Sequence, residues 1–279
     1  MNTASQSNAA DYGYRHVTPK VLFEDLGFSD DAPRPGDPLP SFDLPLTDGG
    51  RLRSDDLLGG KPVLFVTGSF TCPMTASSNP LLKDLHSQFG RDVDFVMLHV
   101  REAHPGEQRE QARSPDEKMR HARDLKQRDR LPWTIAVDDP QGTLHRALDE
   151  KPNAAYLIDR SGLIVFRSLW AGDESGLRMA LQSVARGEHP DPNESQRRLM
   201  PMARGIGAMR EMLQHSGPRA KRDLWRSAPP MAVVAWLADL YRPLRREWRT
   251  FAAMATLGVA TAAVISIIRR TGKDLSRQR

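Results

Sequence analysis

Apolar residues fall along the chain in short runs separated by polar, periodic segments, and this pattern predicts most of the elements. Pro62-Val-Leu-Phe-Val66 and Val93-Asp-Phe-Val-Met-Leu-His-Val100 are strand-like, rich in β-branched and large apolar side chains. Between them Leu81, Leu82, Leu85 and Phe89 recur at helical spacing across 74–89. A strand, a crossover helix and a second, parallel strand are therefore expected. Across 115–130 only Met119, Ala122 and Leu125 form an apolar row among charges, which predicts a surface helix covering the sheet. Residues 133–137 read as a third strand, 141–148 as a short helix, and 156–159 with 163–166 as a hairpin. That hairpin turns through Arg160-Ser-Gly162, where glycine supplies the positive φ of a tight turn. A last helix closes the unit over 176–184.

The flanks differ. Residues 1–35 are polar and end in Asp31-Ala-Pro33-Arg-Pro35-Gly, which sustains neither helix nor central strand, so a flexible lead-in is expected. After residue 188 a Pro/Asn/Arg-rich linker over 189–197 opens a basic region that runs to 249. Within it, 198–215 is weakly amphipathic and holds four methionines, and 229–241 is apolar but too short to span a bilayer, which suits an interfacial position. From Thr250 to Ile268 no residue is charged; Arg249 and Arg269-Arg270 bound the run, and a basic tail fills 269–279. At 1.5 Å per residue the run is about 28 Å long, which predicts a transmembrane helix, with a buried alanine-rich bundle helix as the alternative. Its rows of small residues, Ala252/Thr256/Ala260 and Gly258/Ala262/Ser266, would allow a homodimer.

Charge sharpens this division. Of the 279 residues, 1–190 carry a net −5 and 191–279 a net +10. Clustered arginine beside an apolar run suits anionic lipid, and no nucleic-acid partner is expected. The N-terminus has no basic start followed by an apolar run, so no signal peptide is expected and the body of the chain is placed on the cytoplasmic face.

The single cysteine, Cys72, excludes an internal disulfide, a paired-cysteine redox motif and a multi-cysteine zinc site. It lies in Gly68-Ser69-Phe70-Thr71-Cys72-Pro73, after a strand and before a helix. Pro73 suits the first helical position, so Cys72 is placed at the N-cap, where orphan N–H groups and the helix dipole favour thiolate and lower the thiol pKa. Glu102-Ala103-His104-Pro105 follows the second strand, at the same carboxyl edge of the sheet. In an extended chain Glu102 and His104 point the same way, so the carboxylate is expected to orient the imidazole. No metal-ligand spacing is found.

Gly36-Asp-Pro-Leu-Pro-Ser-Phe42-Asp-Leu44, a strand and then Thr-Cys-Pro resemble the redoxin branch of the thioredoxin-like proteins. The Gly-Ser-Phe-Thr-Cys-Pro and Glu-Ala-His-Pro segments resemble, more specifically, the iodothyronine deiodinases, with cysteine where that family commonly has selenocysteine. The resemblance implies a thioredoxin-like α/β fold over 36–188. It implies Cys72 as nucleophile, His104 as proton donor or relay, Glu102 as its partner, and Ser69 and Thr71 with hydroxyls near the sulfur. Pro152, frequently cis at its place in thioredoxin-like proteins, is implied beside the cysteine on the substrate side. No bound cofactor is implied; a small-molecule electrophile would be reduced and an external thiol or thioredoxin-type reductant would restore the cysteine. Two rivals stand beside this reading. One is a one-cysteine peroxidase, since Ser69 lies three before Cys72 as threonine does in peroxiredoxins, although Phe65 replaces that family's upstream proline. The other is a non-catalytic, membrane-anchored interaction module.

Overall fold

The computed structural model describes residues 12–191 and 198–277. Five strands form one sheet in the order β5-β4-β3-β6-β7: β3 (Val63–Gly68), β4 (Asp94–His99), β5 (Thr134–Val137), β6 (Ala155–Ile158) and β7 (Ile164–Ser168). β3, β4 and β5 are parallel, and β6 and β7 run antiparallel to them. The parallel pairs are joined by α2 (Pro73–Phe89) and α3 (Pro115–Asp129); α4 (Thr143–Ala147) leads to β6, and α5 (Glu174–Ala185) follows β7. This is the expected mixed α/β, thioredoxin-like fold. β3 is buried throughout and alternates between two cores, Leu64 and Val66 facing Leu82, Leu85, Leu177 and Leu181, and Val63 and Phe65 facing Tyr156, Leu144 and Leu148. A small hairpin, β1 (Asp43–Pro45) with β2 (Arg51–Arg53), is an element the apolar pattern did not signal, because each strand is only three residues long.

The lead-in is not flexible over its described part. Tyr12 and Val17 are buried, and Pro19–Glu24 forms helix α1, with the Thr18 hydroxyl accepting from Val21 N–H. The Tyr12 hydroxyl pairs with His145 Nδ1 at 2.8 Å, and its ring lies where a side chain at Gly142 would clash, the nearest ring carbon 1.9 Å from an added Cβ. Tyr14 donates to the Ala103 carbonyl at 2.8 Å, and Arg167 donates to the carbonyls of Ala32 and Pro33. Two tyrosines with apolar rings and bonding hydroxyls suffice to order a segment whose composition is polar. Residues 1–11 lie outside the described residues, as do 192–197 of the expected linker.

The basic region is an α-helical layer: α6 (Leu199–Ser216), α7 (Pro218–Ser227), α8 (Pro229–Ala238) and the long α9 (Arg246–Arg277). Met209, Leu213, Leu224, Ala232 and Ala235 form its own core, and α6 packs along α2. α9 contains the candidate membrane span, 21 residues from Arg246 to Ser266. Its first turns belong to the layer: Ala253 is buried, and the Thr250 hydroxyl donates to the Ala203 carbonyl at 2.8 Å. The expected span 250–268 is thus partly committed to packing, and from Met254 onward most described side chains are exposed.

One contact explains how the layer attaches. Pro80 lies inside α2 and has no N–H for the Ala76 carbonyl one turn back. Arg246 fills the gap, Nη1 donating to Ala76 O at 2.6 Å while Nη2 reaches Glu211 at 3.3 Å. Arg246→Ala is expected to cost about 1.5–3 kcal/mol, the range for a hydrogen bond to a charged group. In a Pro80→Ala background, which restores the helical N–H, the cost should be smaller. A double-mutant cycle in urea measures the coupling; strictly additive effects would refute the link.

Candidate active site

The turn from β3 into α2 places Cys72 as expected. Cys72 is the N-cap with extended backbone (φ −84°, ψ 116°), Pro73 opens the helix, and Sγ accepts from Thr75 N–H at 3.5 Å. The preceding loop is fixed to the chain leaving β4. Glu102 Oε2 accepts from Thr71 N–H at 2.8 Å and from the Thr71 hydroxyl at 2.7 Å; Thr71 Oγ1 in turn accepts from His104 N–H at 3.1 Å. Ser69 Oγ accepts from Ala103 N–H at 3.3 Å. The two hydroxyls expected near the sulfur are therefore engaged with the 102–104 segment.

Glu102 is not the partner of His104. The Gln111 side chain pairs with both backbone groups of Glu102, at 2.8 and 2.7 Å, and the chain leaves the extended path there, so the alternation assumed from spacing does not apply. Glu102 Oε1 instead lies 3.4 Å from His121 Nδ1 and 3.7 Å from His99 Nε2, at ion-pair range but without hydrogen-bond geometry. Burial would push this carboxyl up; the two histidines outweigh it and hold it well below the usual carboxylate range. Among the described residues no cluster of three or more His, Cys, Asp or Glu is arranged to hold a metal.

Cys72, His104 and Pro152 line one cavity of about 450 Å³. With them Met74 and Trp170 of the α/β domain face walls from outside it: Leu22 and Asp25 at α1, Met202 and Ile206 of α6, and Met231 of α8. Gly205 permits the close approach of α6, since an added Cβ would lie 2.2 Å from Met74 Sδ. All peptide bonds among the described residues are trans, that of Pro152 included.

Burial at this site reverses one expectation. Cys72 is 1% exposed, and burial pushes its thiol up to about 11 despite hydrogen bonds from Thr75 and Met74. Removing the sulfur from water costs the thiolate more than the N-cap returns. His104, 5% exposed with Nδ1 unpartnered, is pushed down to about 4 by the same burial. Asp25, which faces the same cavity, rises to about 7, again through burial. At neutral pH the site thus holds a neutral thiol, a neutral imidazole and a carboxyl near its midpoint. Asp25 and the α6–α8 wall escaped the sequence reading because nothing local links them to Cys72. Thr75 carried a signal, three residues after the N-cap, where capping partners sit.

Comparison with known proteins gives one family match: the model described as Redoxin matches residues 34–179. Among curated proteins none is significantly similar. Of solved structures, an uncharacterized conserved protein from Geobacillus kaustophilus aligns at TM-score 0.48 and 17% identity, covering 60% of this chain and 90% of its own. A putative thiol:disulfide interchange protein DsbE from Chlorobium tepidum aligns at 0.39 and 20%, covering 49% and 85%. The peroxidoxin BcpB from Mycobacterium tuberculosis aligns at 0.42 and 16%, covering 56% and 97%.

Two measurements check the electrostatics. Iodoacetamide alkylation of native Cys72 should rise with pH toward a midpoint near 11 and return to about 8.5 after unfolding in urea; a native midpoint at or below 8.5 would refute control by burial. For His104 the folded pKa lies below the unfolded value of about 6.5, so its contribution to stability is present above pH 6.5 and is lost as pH falls toward 4. The loss reaches about 3 kcal/mol. Urea midpoints between pH 7 and 4 should fall less steeply for His104→Leu than for the wild type.

Proposed function

The chain belongs to the redoxin family, the match spanning just over half of its length, and from that premise we propose that it is a membrane-anchored thiol oxidoreductase with Cys72 as its one nucleophile, acting reductively on a soft carbon–halogen electrophile as the deiodinases do. The observation that carries the reading is the convergence of Cys72, His104 and Pro152 on a single cavity, with Thr71 and Glu102 fixing the loop that presents the sulfur.

The protonation states suggest the order of events. Cys72 starts as a thiol and His104 as a neutral base. Free transfer of the proton from a thiol near 11 to an imidazole near 4 is uphill, so His104 takes the thiol proton as the sulfur attacks and is then the acid. Sulfur attacks the halogen, the carbon–halogen bond breaks, and the carbon takes the proton from His104; the products are R–H and a Cys72 sulfenyl halide. An external thiol displaces halide to give a mixed disulfide, releasing a proton. A second thiol restores Cys72 and leaves as the external disulfide. In sum R–X and two thiols become R–H, H–X and one disulfide, the substrate being reduced by two electrons.

α9 serves as the anchor in this reading, with the α/β domain on the cytoplasmic face where reduced thiols are supplied. The exposed tryptophans Trp225, Trp236 and Trp248, on α7, α8 and the first turn of α9, support contact with a headgroup layer.

Cys72→Ser should abolish dehalogenation of an iodinated phenol in the presence of dithiothreitol, and His104→Ala should lower kcat by roughly 10² to 10⁴. If hydrogen peroxide is instead turned over while the iodinated phenol is untouched, the chain is a one-cysteine peroxidase and the dehalogenation reading fails. Fractionation tests the anchor: the full chain should remain with carbonate-washed membranes, and its appearance in the soluble fraction would refute it.

A further inference from the structure

The walls of the Cys72 cavity define what reaches the sulfur. Among the described residues that line it there is no lysine or arginine. The ionisable groups are Cys72, His104 and Asp25; burial keeps the first two neutral, and the only charge the cavity acquires near pH 7 is negative, on Asp25. The remaining lining is almost wholly apolar, with Leu22, Met74, Met202, Ile206 and Met231 among its walls. An anion entering this space would be desolvated beside a carboxylate with no cation to receive it. The volume, about 450 Å³, lies in the range of roughly 300–1,000 Å³ that encloses small organic ligands. A folded protein bearing a disulfide has no such access, since Cys72 is 1% exposed.

The cavity also lies close to the candidate anchor. Pro229, Pro230 and Met231, the first turn of α8, line it, and α8 leads directly through a single 3₁₀ turn, Asp239–Tyr241, toward α9. Because Thr250 and Ala253 are used in packing on α6, the part of the candidate span beyond that packing is 254–266, about 20 Å at 1.5 Å per residue. That is shorter than the roughly 30 Å hydrocarbon core. For α9 to cross, the α6–α8 layer must itself sit in the interface, which brings one wall of the cavity to the lipid.

We infer that the ligand of this cavity is a neutral, apolar small molecule drawn from the membrane phase, and that charged electrophiles, amino-acid carboxylates among them, are excluded. The inference rests on Cys72 being the reacting group and deepens the function proposed above by fixing the polarity of its substrate.

The single cysteine allows a direct test that does not depend on turnover. The full chain in lipid nanodiscs is treated with N-phenylmaleimide or with 4-maleimidobenzoate, which differ only by the carboxylate, and modification of Cys72 is followed by mass spectrometry. Each rate is divided by that of the urea-unfolded chain. The neutral reagent should be favoured by roughly tenfold or more, the factor that corresponds to 1.4 kcal/mol. Ile206→Trp, which fills the cavity, should remove the preference; Leu22→Trp on the opposite wall is the second variant should the first fail to fold, circular dichroism being the check. A preference under twofold, or one that survives filling of the cavity, overturns the inference, the latter because it would report only partition into lipid. Retained selectivity without dehalogenation would refute the proposed reaction and leave the polarity of the site standing.

Discussion

The two hydrogen bonds from Thr71 to Glu102 are the constraint on which the site depends. They tie the turn entering α2 to the chain leaving β4, and the segment so held includes His104, whose N–H closes back on Thr71. A carboxylate can occupy this depth because it accepts two bonds on one oxygen and faces His99 and His121 with the other. Removing the charge would leave Thr71 with a weaker acceptor and would loosen the loop from both sides. The sulfur's position is thus set from behind, by a buried polar cluster that does not itself line the Cys72 cavity.

The front of the site is made by segments outside the α/β domain. α1 and the α6–α8 layer wall the strand–helix turn into a cavity, and the burial that results sets the protonation of its groups. In an exposed N-cap the helix N-terminus would lower the thiol pKa; here loss of water raises it, and the same loss keeps His104 neutral. Held neutral in this way, the thiol and the imidazole leave Asp25 as the group whose charge changes near neutral pH.

Attachment of the helical layer follows from a break in α2. Proline within a helix frees a carbonyl, and Arg246 supplies the missing donor at the very start of α9. The helix that carries the candidate span is therefore joined to the helix that Cys72 caps. Further polar links clasp the layer to the domain, with Glu107 and Glu110 pairing with Arg219 and Arg222, while Asp223 ties it to the lead-in through His16.

Local pattern was enough for the sheet, the crossover helices and the hairpin, because strand and helix periodicities report directly which face is buried. It was enough too for Cys72 at the N-cap, since a proline after the cysteine fixes where the helix begins, and for the apolar run of α9. The partner of Glu102 was not legible: two residues of spacing imply a shared face only in extended chain, and Gln111 holds the backbone elsewhere. Nor was the order of the lead-in, where Tyr12 and Tyr14 gain their partners at His145 and Ala103, far along the chain. The protonation of Cys72 depended on the same kind of fact. The sequence by itself determined the order of the elements and the place of Cys72 at the start of a helix; only the tertiary structure decided how much water Cys72 and His104 keep, because burial is a property of segments distant in the chain that close over them.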